Sequence, residues 1–91
     1  MILIYDTMNR KHRRTLEAVF RKPEPANLNW DDVEKLFKSL GAVVSEREGY
    51  RVAILLNGRI AVFHRPHPRK ETDKGAIKSL RKFLENSGVK P

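Results

Sequence analysis

Apolar positions fall into six rhythmic segments separated by turn-forming residues. From Asn9 to Arg21, Leu16, Val19 and Phe20 share one stripe while Arg10, Lys11, Arg13, Arg14 and Arg21 lie mostly elsewhere, the pattern of a short basic amphipathic helix. The proline-rich stretch Lys22-Pro23-Glu24-Pro25-Ala26-Asn27 cannot continue that helix and reads as a linker. Asn29 then stands where an N-cap belongs. Trp30, Val33, Leu36, Phe37 and Leu40 follow at helical spacing until Gly41 supplies a left-handed stop. Asp31, Asp32 and Glu34 sit in the first turn, where the helix dipole favours negative charge; stabilising the helix is their ordinary role.

The rhythm changes after Gly41. Ala42 to Ser45 is a short β-prone run, Glu46-Arg47-Glu48-Gly49 a polar turn, and Tyr50 to Leu56 a second strand. Asn57-Gly58 between two apolar runs is a strong hairpin signal, because a type I′ turn needs two residues that tolerate positive φ; Arg59 to His64 is the return strand. Asp73 then caps a last helix with Ile77, Leu80, Phe83 and Leu84 in its stripe and Ser87-Gly88 at its end. The predicted fold class is α+β, a two-layer α-β-β-β-α sandwich preceded by an extra basic helix. The expected divisions are an N-terminal extension (1–22), a linker (23–28) and a main domain (29–91).

A two-residue turn at Asn57-Gly58 pairs Leu56 with Arg59 and, counting back, Arg51 with His64. Arg51, Ala53, Leu55, Ile60, Val62 and His64 then share one face, and Tyr50, Val52, Ile54, Leu56, Ala61 and Phe63 the other. The second set holds the larger side chains and is assigned to the core. Leu55, Ile60 and Val62 are left needing a cover: the N-terminal segment, a second copy of the chain in a homodimer, or a partner protein.

Ninety-one residues fit one domain, and 40% hydrophobic with 33% charged residues is a globular composition. Without cysteine, neither a disulfide framework nor a thiolate zinc site is available. The apolar opening Met1 to Tyr5 is too short for a signal sequence or a membrane span; it is either frayed or an added strand, and Met8 is an alternative start. A soluble, cytoplasmic protein is expected. The net charge is +8, distributed as +5 over residues 9–22, +6 over 59–82 and −2 over 23–58. Solubility alone explains a dispersed excess, whereas two basic segments favour a polyanionic partner such as RNA.

The chemically richest stretch is His64-Arg65-Pro66-His67-Pro68-Arg69-Lys70, two histidines and three cations between a strand and a helix. Imidazole moves protons near neutral pH, and adjacent cations bind a phosphodiester and stabilise its developing charge. RNA cleavage by attack of its own 2′-OH needs only such groups. The plainer alternative is a phosphate-binding loop without chemistry. No third ligand accompanies His64 and His67, so neither a metal nor another cofactor is expected. His12 reads as a surface residue, and Trp30 and Phe37 as core rather than a stacking platform. No Walker loop, dinucleotide fingerprint or zinc-protease motif occurs.

Across about Trp30 to Val89 the chain resembles the HicA-type toxins of bacterial type II toxin–antitoxin systems. Leu36-Phe37-Lys38-Ser39-Leu40-Gly41-Ala42 is similar to the family's first helix end, and Asn57-Gly58-Arg59-Ile60-Ala61-Val62 to its hairpin. His67-Pro68-Arg69-Lys70-Glu71 resembles its strand-end loop. Lys74-Gly75-Ala76-Ile77-Lys78-Ser79-Leu80 with Ser87-Gly88-Val89 resembles its closing helix. The resemblance implies a double-stranded-RNA-binding-domain-like fold, a metal-independent endoribonuclease that cuts mRNA and halts translation, and a HicB-type antitoxin partner. Glu48-Gly49-Tyr50-Arg51 stands where the family shows Gly-Ser-His, so Arg51 replaces its catalytic histidine; a permanently charged guanidinium holds phosphate but does not transfer protons. Two readings follow: His64 and His67 supply the proton transfer while Arg51, Arg65, Arg69, Lys70, Lys74 and Lys78 bind RNA, or the chain is a non-catalytic RNA-binding or regulatory module. A third, a structural domain docking an acidic protein, draws on charge alone. The extra basic helix is expected either to cover the exposed sheet face or to widen the RNA footprint.

Overall fold

A computed structural model describes residues 8–91. The strand or frayed end expected for Met1 to Tyr5 lies outside these residues. The element order is α1 (Arg10–Phe20), α2 (Trp30–Ser39), β1 (Val43–Glu46), β2 (Arg51–Leu56), β3 (Arg59–His64) and α3 (Lys74–Asn86). Each helix starts where a side chain accepts an orphan amide: Asn9 from the His12 N–H, Asn29 from the Asp31 N–H, and Asp73 from the Ala76 N–H. The predicted Gly41 stop adopts φ 86°.

The sheet is antiparallel in the order β1-β2-β3. Asn57 and Gly58 adopt φ 51° and 79°, the pair of positive values that a type I′ turn demands. The register follows from that turn: Leu56 lies opposite Arg59, Leu55 opposite Ile60, and Arg51 opposite His64. On the other side of β2, Val43 lies opposite Leu55 and Ser45 opposite Ala53.

Val52, Ile54, Leu56 and Phe63 are buried on one sheet face with Val33, Leu36 and Phe37 of α2 and Ile77, Leu80, Phe83 and Leu84 of α3. Phe63 bridges the layers, its ring 6.1 Å from Trp30 and 5.9 Å from Phe83. The opposite face stays open: Val43, Leu55, Ile60 and Val62 are exposed, while the small Ala53 is shielded on the central strand. Tyr50 departs from the expected core set. It lies just outside β2 and is 54% exposed, because charged side chains occupy the adjoining end of the core face.

Leu16 and Val19 of α1 are fully buried in the same core, and α1 packs on α2 and α3. The helix therefore does not cover the open sheet face. Its C-terminus is held by the buried Arg81 of α3, whose Nε donates to the Val19 carbonyl at 2.9 Å and whose Nη2 donates to the Arg21 carbonyl and to Glu24. These bonds satisfy carbonyls that a helix end leaves without partners. Among the described residues no helix is long and apolar enough to cross a membrane.

Candidate functional site

The ends of β2 and β3 opposite the hairpin turn bring the chemistry-bearing residues together. Arg51 opens β2 and His64 closes β3; they are ladder partners, both are exposed, and alternation puts both on the open face. The face grades from apolar to polar. The row Val43, Leu55 and Ile60 lies nearest the turn, Ser45, Ala53 and Val62 come next, and Arg51 with His64 come last. The Nε of Arg51 donates to the Glu48 carbonyl at 3.2 Å, which restrains the guanidinium beside its own turn.

One step further, the Arg65 N–H donates to the Tyr50 carbonyl and extends the ladder. The Arg65 side chain turns inward. Its Nε and Nη2 donate to the two Glu34 oxygens at 2.6 and 3.0 Å, and its Nη1 donates to both oxygens of Glu46 at 2.7 and 2.8 Å. Every guanidinium nitrogen is thus occupied by a carboxylate, so the expected phosphate contact of Arg65 gives way to a structural role: it fastens the root of the loop to α2 and β1. Burial pushes the Glu34 carboxyl up, but hydrogen bonds from Arg65 and from the Trp30 indole N–H outweigh it and hold the group below the usual glutamate range. Donating hydrogen bonds to the Glu34 and Glu46 carboxylates raises the Arg65 pKa further.

His67 does not join Arg51 and His64 directly but stacks on Tyr50, with ring centroids 4.1 Å apart and planes inclined by 15°. The Tyr50 hydroxyl lies 3.2 Å from His67 Nε2. Downstream the loop is stitched to the segment before α2, through the Trp30 N–H to the Lys70 carbonyl and the Thr72 N–H to the Leu28 carbonyl, both at 2.8 Å. Lys70 Nζ reaches Asp31 at 2.7 Å, and Arg69 lies 3.7 Å from Glu71 with its side chain 85% exposed. An exposed pair of this kind is weak and is readily exchanged for a phosphate. Lys74 and Lys78 are exposed on α3, one turn apart. On the other flank of α2, Lys11 lies 3.5 Å from Asp32.

Two pairs therefore stand at one end of the sheet: Arg51 with His64, and Tyr50 with His67. The first was legible from the turn. The second was not, although a tyrosine directly after Gly49 and opposite Arg65 was a sign that its position is not apolar. Glu34 also goes beyond helix stabilisation through its ion pair. Among the described residues no group of three or more His, Cys, Asp or Glu side chains is placed to hold a metal ion.

Residues 30–89 match the family model described as the HicA toxin of bacterial toxin–antitoxin. The match begins at α2 and leaves α1 and the proline-rich connection outside it. Comparisons with curated proteins and with solved structures give no match.

Proposed function

The chain belongs to the HicA toxin family of bacterial toxin–antitoxin systems, and on that premise we propose that it binds messenger RNA and cuts its backbone, and that a HicB-type antitoxin restrains it. The observation that carries this reading is the placement of Arg51 opposite His64 on an exposed sheet face. Arg51 neutralises the phosphodiester. His64 accepts the proton of the ribose 2′-OH as the oxygen attacks phosphorus. The bond to the 5′-oxygen breaks, and a second imidazole, His67, returns a proton to that leaving group. The products are a 2′,3′-cyclic phosphate and a 5′-hydroxyl.

Arg69, Lys74 and Lys78 extend the cationic surface, and Lys70 joins them when phosphate displaces Asp31. Such contacts position the strand without reading its sequence. The cytoplasm, where mRNA is translated, is the compartment that this reading requires.

One observation favours a second reading, an RNA-binding module without cleavage: arginine occupies the position at which the family resemblance places a catalytic histidine. Incubating the purified protein with a labelled mRNA in EDTA and determining the fragment ends separates the two. Cyclic-phosphate ends that vanish in His64→Ala support cleavage. Salt-dependent binding with intact RNA supports the module.

A further inference from the structure

We propose that Tyr50, braced against His67, is a platform for one unpaired nucleobase, which makes single-stranded RNA the preferred ligand of the site. The inference rests on the RNA reading above and adds to it a subsite that the cationic contacts do not supply.

Among the described residues Tyr50 is the only Phe, Trp or Tyr in an exposed position. Trp30, Phe37, Phe63 and Phe83 are all buried in the core. An exposed aromatic ring stabilises nothing by its exposure, and this one is nevertheless held in place. The His67 imidazole covers one face at 4.1 Å, the hydroxyl lies 3.2 Å from Nε2, and the Tyr50 carbonyl accepts the Arg65 N–H at 2.6 Å. His67 stacks on one face, and Tyr50 as a whole still remains 54% exposed. A ring fixed in this way loses little conformational freedom when a base stacks on it. Arg51 is the next residue in the chain and His64 is its ladder partner, so the platform stands at the same end of the sheet as the cationic and proton-transferring groups.

A base inside a duplex is already stacked on both faces and cannot offer one to Tyr50 without being extruded. Duplex-binding domains instead read shape through phosphates and 2′-hydroxyls. Stacking on an aromatic ring is the means by which single strands are held with little sequence preference. The plainer role for Tyr50, propping His67 without touching RNA, makes a different forecast and is separated below.

The test measures binding of two probes to the whole chain: a 2′-O-methyl single strand of about a dozen nucleotides, which resists cleavage, and the corresponding duplex. Wild type is compared with Tyr50→Phe, Tyr50→Ala and Tyr50→Leu, the last retaining bulk should the alanine variant fold poorly. Tyr50→Phe should bind the single strand within about twofold of wild type, while Tyr50→Ala and Tyr50→Leu should each lose about tenfold, with duplex affinity unchanged. Equal single-strand affinity in all four proteins overturns the subsite, as does an equal loss for both probes. Slower cleavage by Tyr50→Ala with undiminished probe binding assigns Tyr50 to propping His67 and also overturns it. If wild type binds neither probe, the RNA reading itself fails.

Discussion

The Arg65 guanidinium meets the Glu34 carboxylate at two points, Nε to Oε2 at 2.6 Å and Nη2 to Oε1 at 3.0 Å, and its remaining nitrogen holds Glu46. One side chain thereby joins β3, α2 and β1 at the end of the sheet that carries the candidate site. Both partners are largely shielded, with side-chain exposures of 26% and 14%, so breaking the pair strands a charge in poorly hydrated surroundings. We expect Arg65→Met to lower the free energy of unfolding by about 2 kcal/mol, read as a fall in the urea midpoint at unchanged slope. A midpoint equal to that of wild type would show the network to be energetically idle.

The same pair carries a pH signature. Glu34 and Glu24 both titrate below the ordinary glutamate value of 4.5, Glu24 chiefly through its hydrogen bond from Arg81. Above that value both carboxylates are ionised in the folded and unfolded chain, and their stabilisation is fully present. As pH falls towards the folded-state values, the unfolded chain takes up protons first, and the stabilisation is lost. Urea midpoints should therefore be flat near neutrality and fall below about pH 4.5, less steeply in Arg65→Met, where Glu34 loses its principal partner. An equally steep fall in the variant would place the acid sensitivity elsewhere.

Much of this architecture was legible in the sequence because the deciding interactions are local. Asn57-Gly58 fixed the hairpin register and with it the pairing of Arg51 with His64; Asn29, Gly41 and Asp73 marked helix ends through short-range capping. The Arg65–Glu34 and Arg81–Val19 contacts join residues 31 and 62 positions apart and leave no periodic trace. Tyr50 was misassigned because strand alternation ignores what covers each position. The expected core face ends in charged side chains, so the tyrosine stacks on His67 instead.

Arg81 makes α1 an integral part of the fold. Removing residues 1–22 uncovers the surface under Leu16 and Val19 and leaves the Arg81 guanidinium without its two carbonyl acceptors. Burying an aliphatic side chain contributes about 1.5–3 kcal/mol, and an abandoned buried donor costs about 1–3 kcal/mol. Their total is comparable with the whole stability of a small domain. The truncated chain should lose its cooperative thermal transition or aggregate, and a soluble truncation with an undiminished transition would make α1 an accessory.

The hairpin tip is also tied to the last helix, since Asn57 Nδ2 donates to the Ser87 carbonyl at 2.7 Å. Asn57→Gly keeps the positive φ but removes this bond, whereas Asn57→Ala removes the bond and strains the turn. Losses of about 1 and 2 kcal/mol respectively are expected by chemical denaturation. The reverse order would mean that neither backbone strain nor the tie to Ser87 governs the turn.

The division of labour between Arg51 and His64 predicts different kinetic losses. Arg51→Ala removes one phosphate contact, so RNA binding should weaken and the slope of log affinity against log salt should become shallower by about 0.7 for a single strand. Arg51→Lys should restore most of that slope, because a compact ammonium still neutralises phosphate without the guanidinium's two-point geometry. His64→Ala removes a proton acceptor rather than a fixed charge. It should lower the cleavage rate by about 10²–10⁴-fold while leaving the salt slope in place. Cleavage by His64→Ala at the wild-type rate would transfer the base to another group, and a salt slope unaffected by Arg51→Ala would remove the phosphate from this end of the sheet.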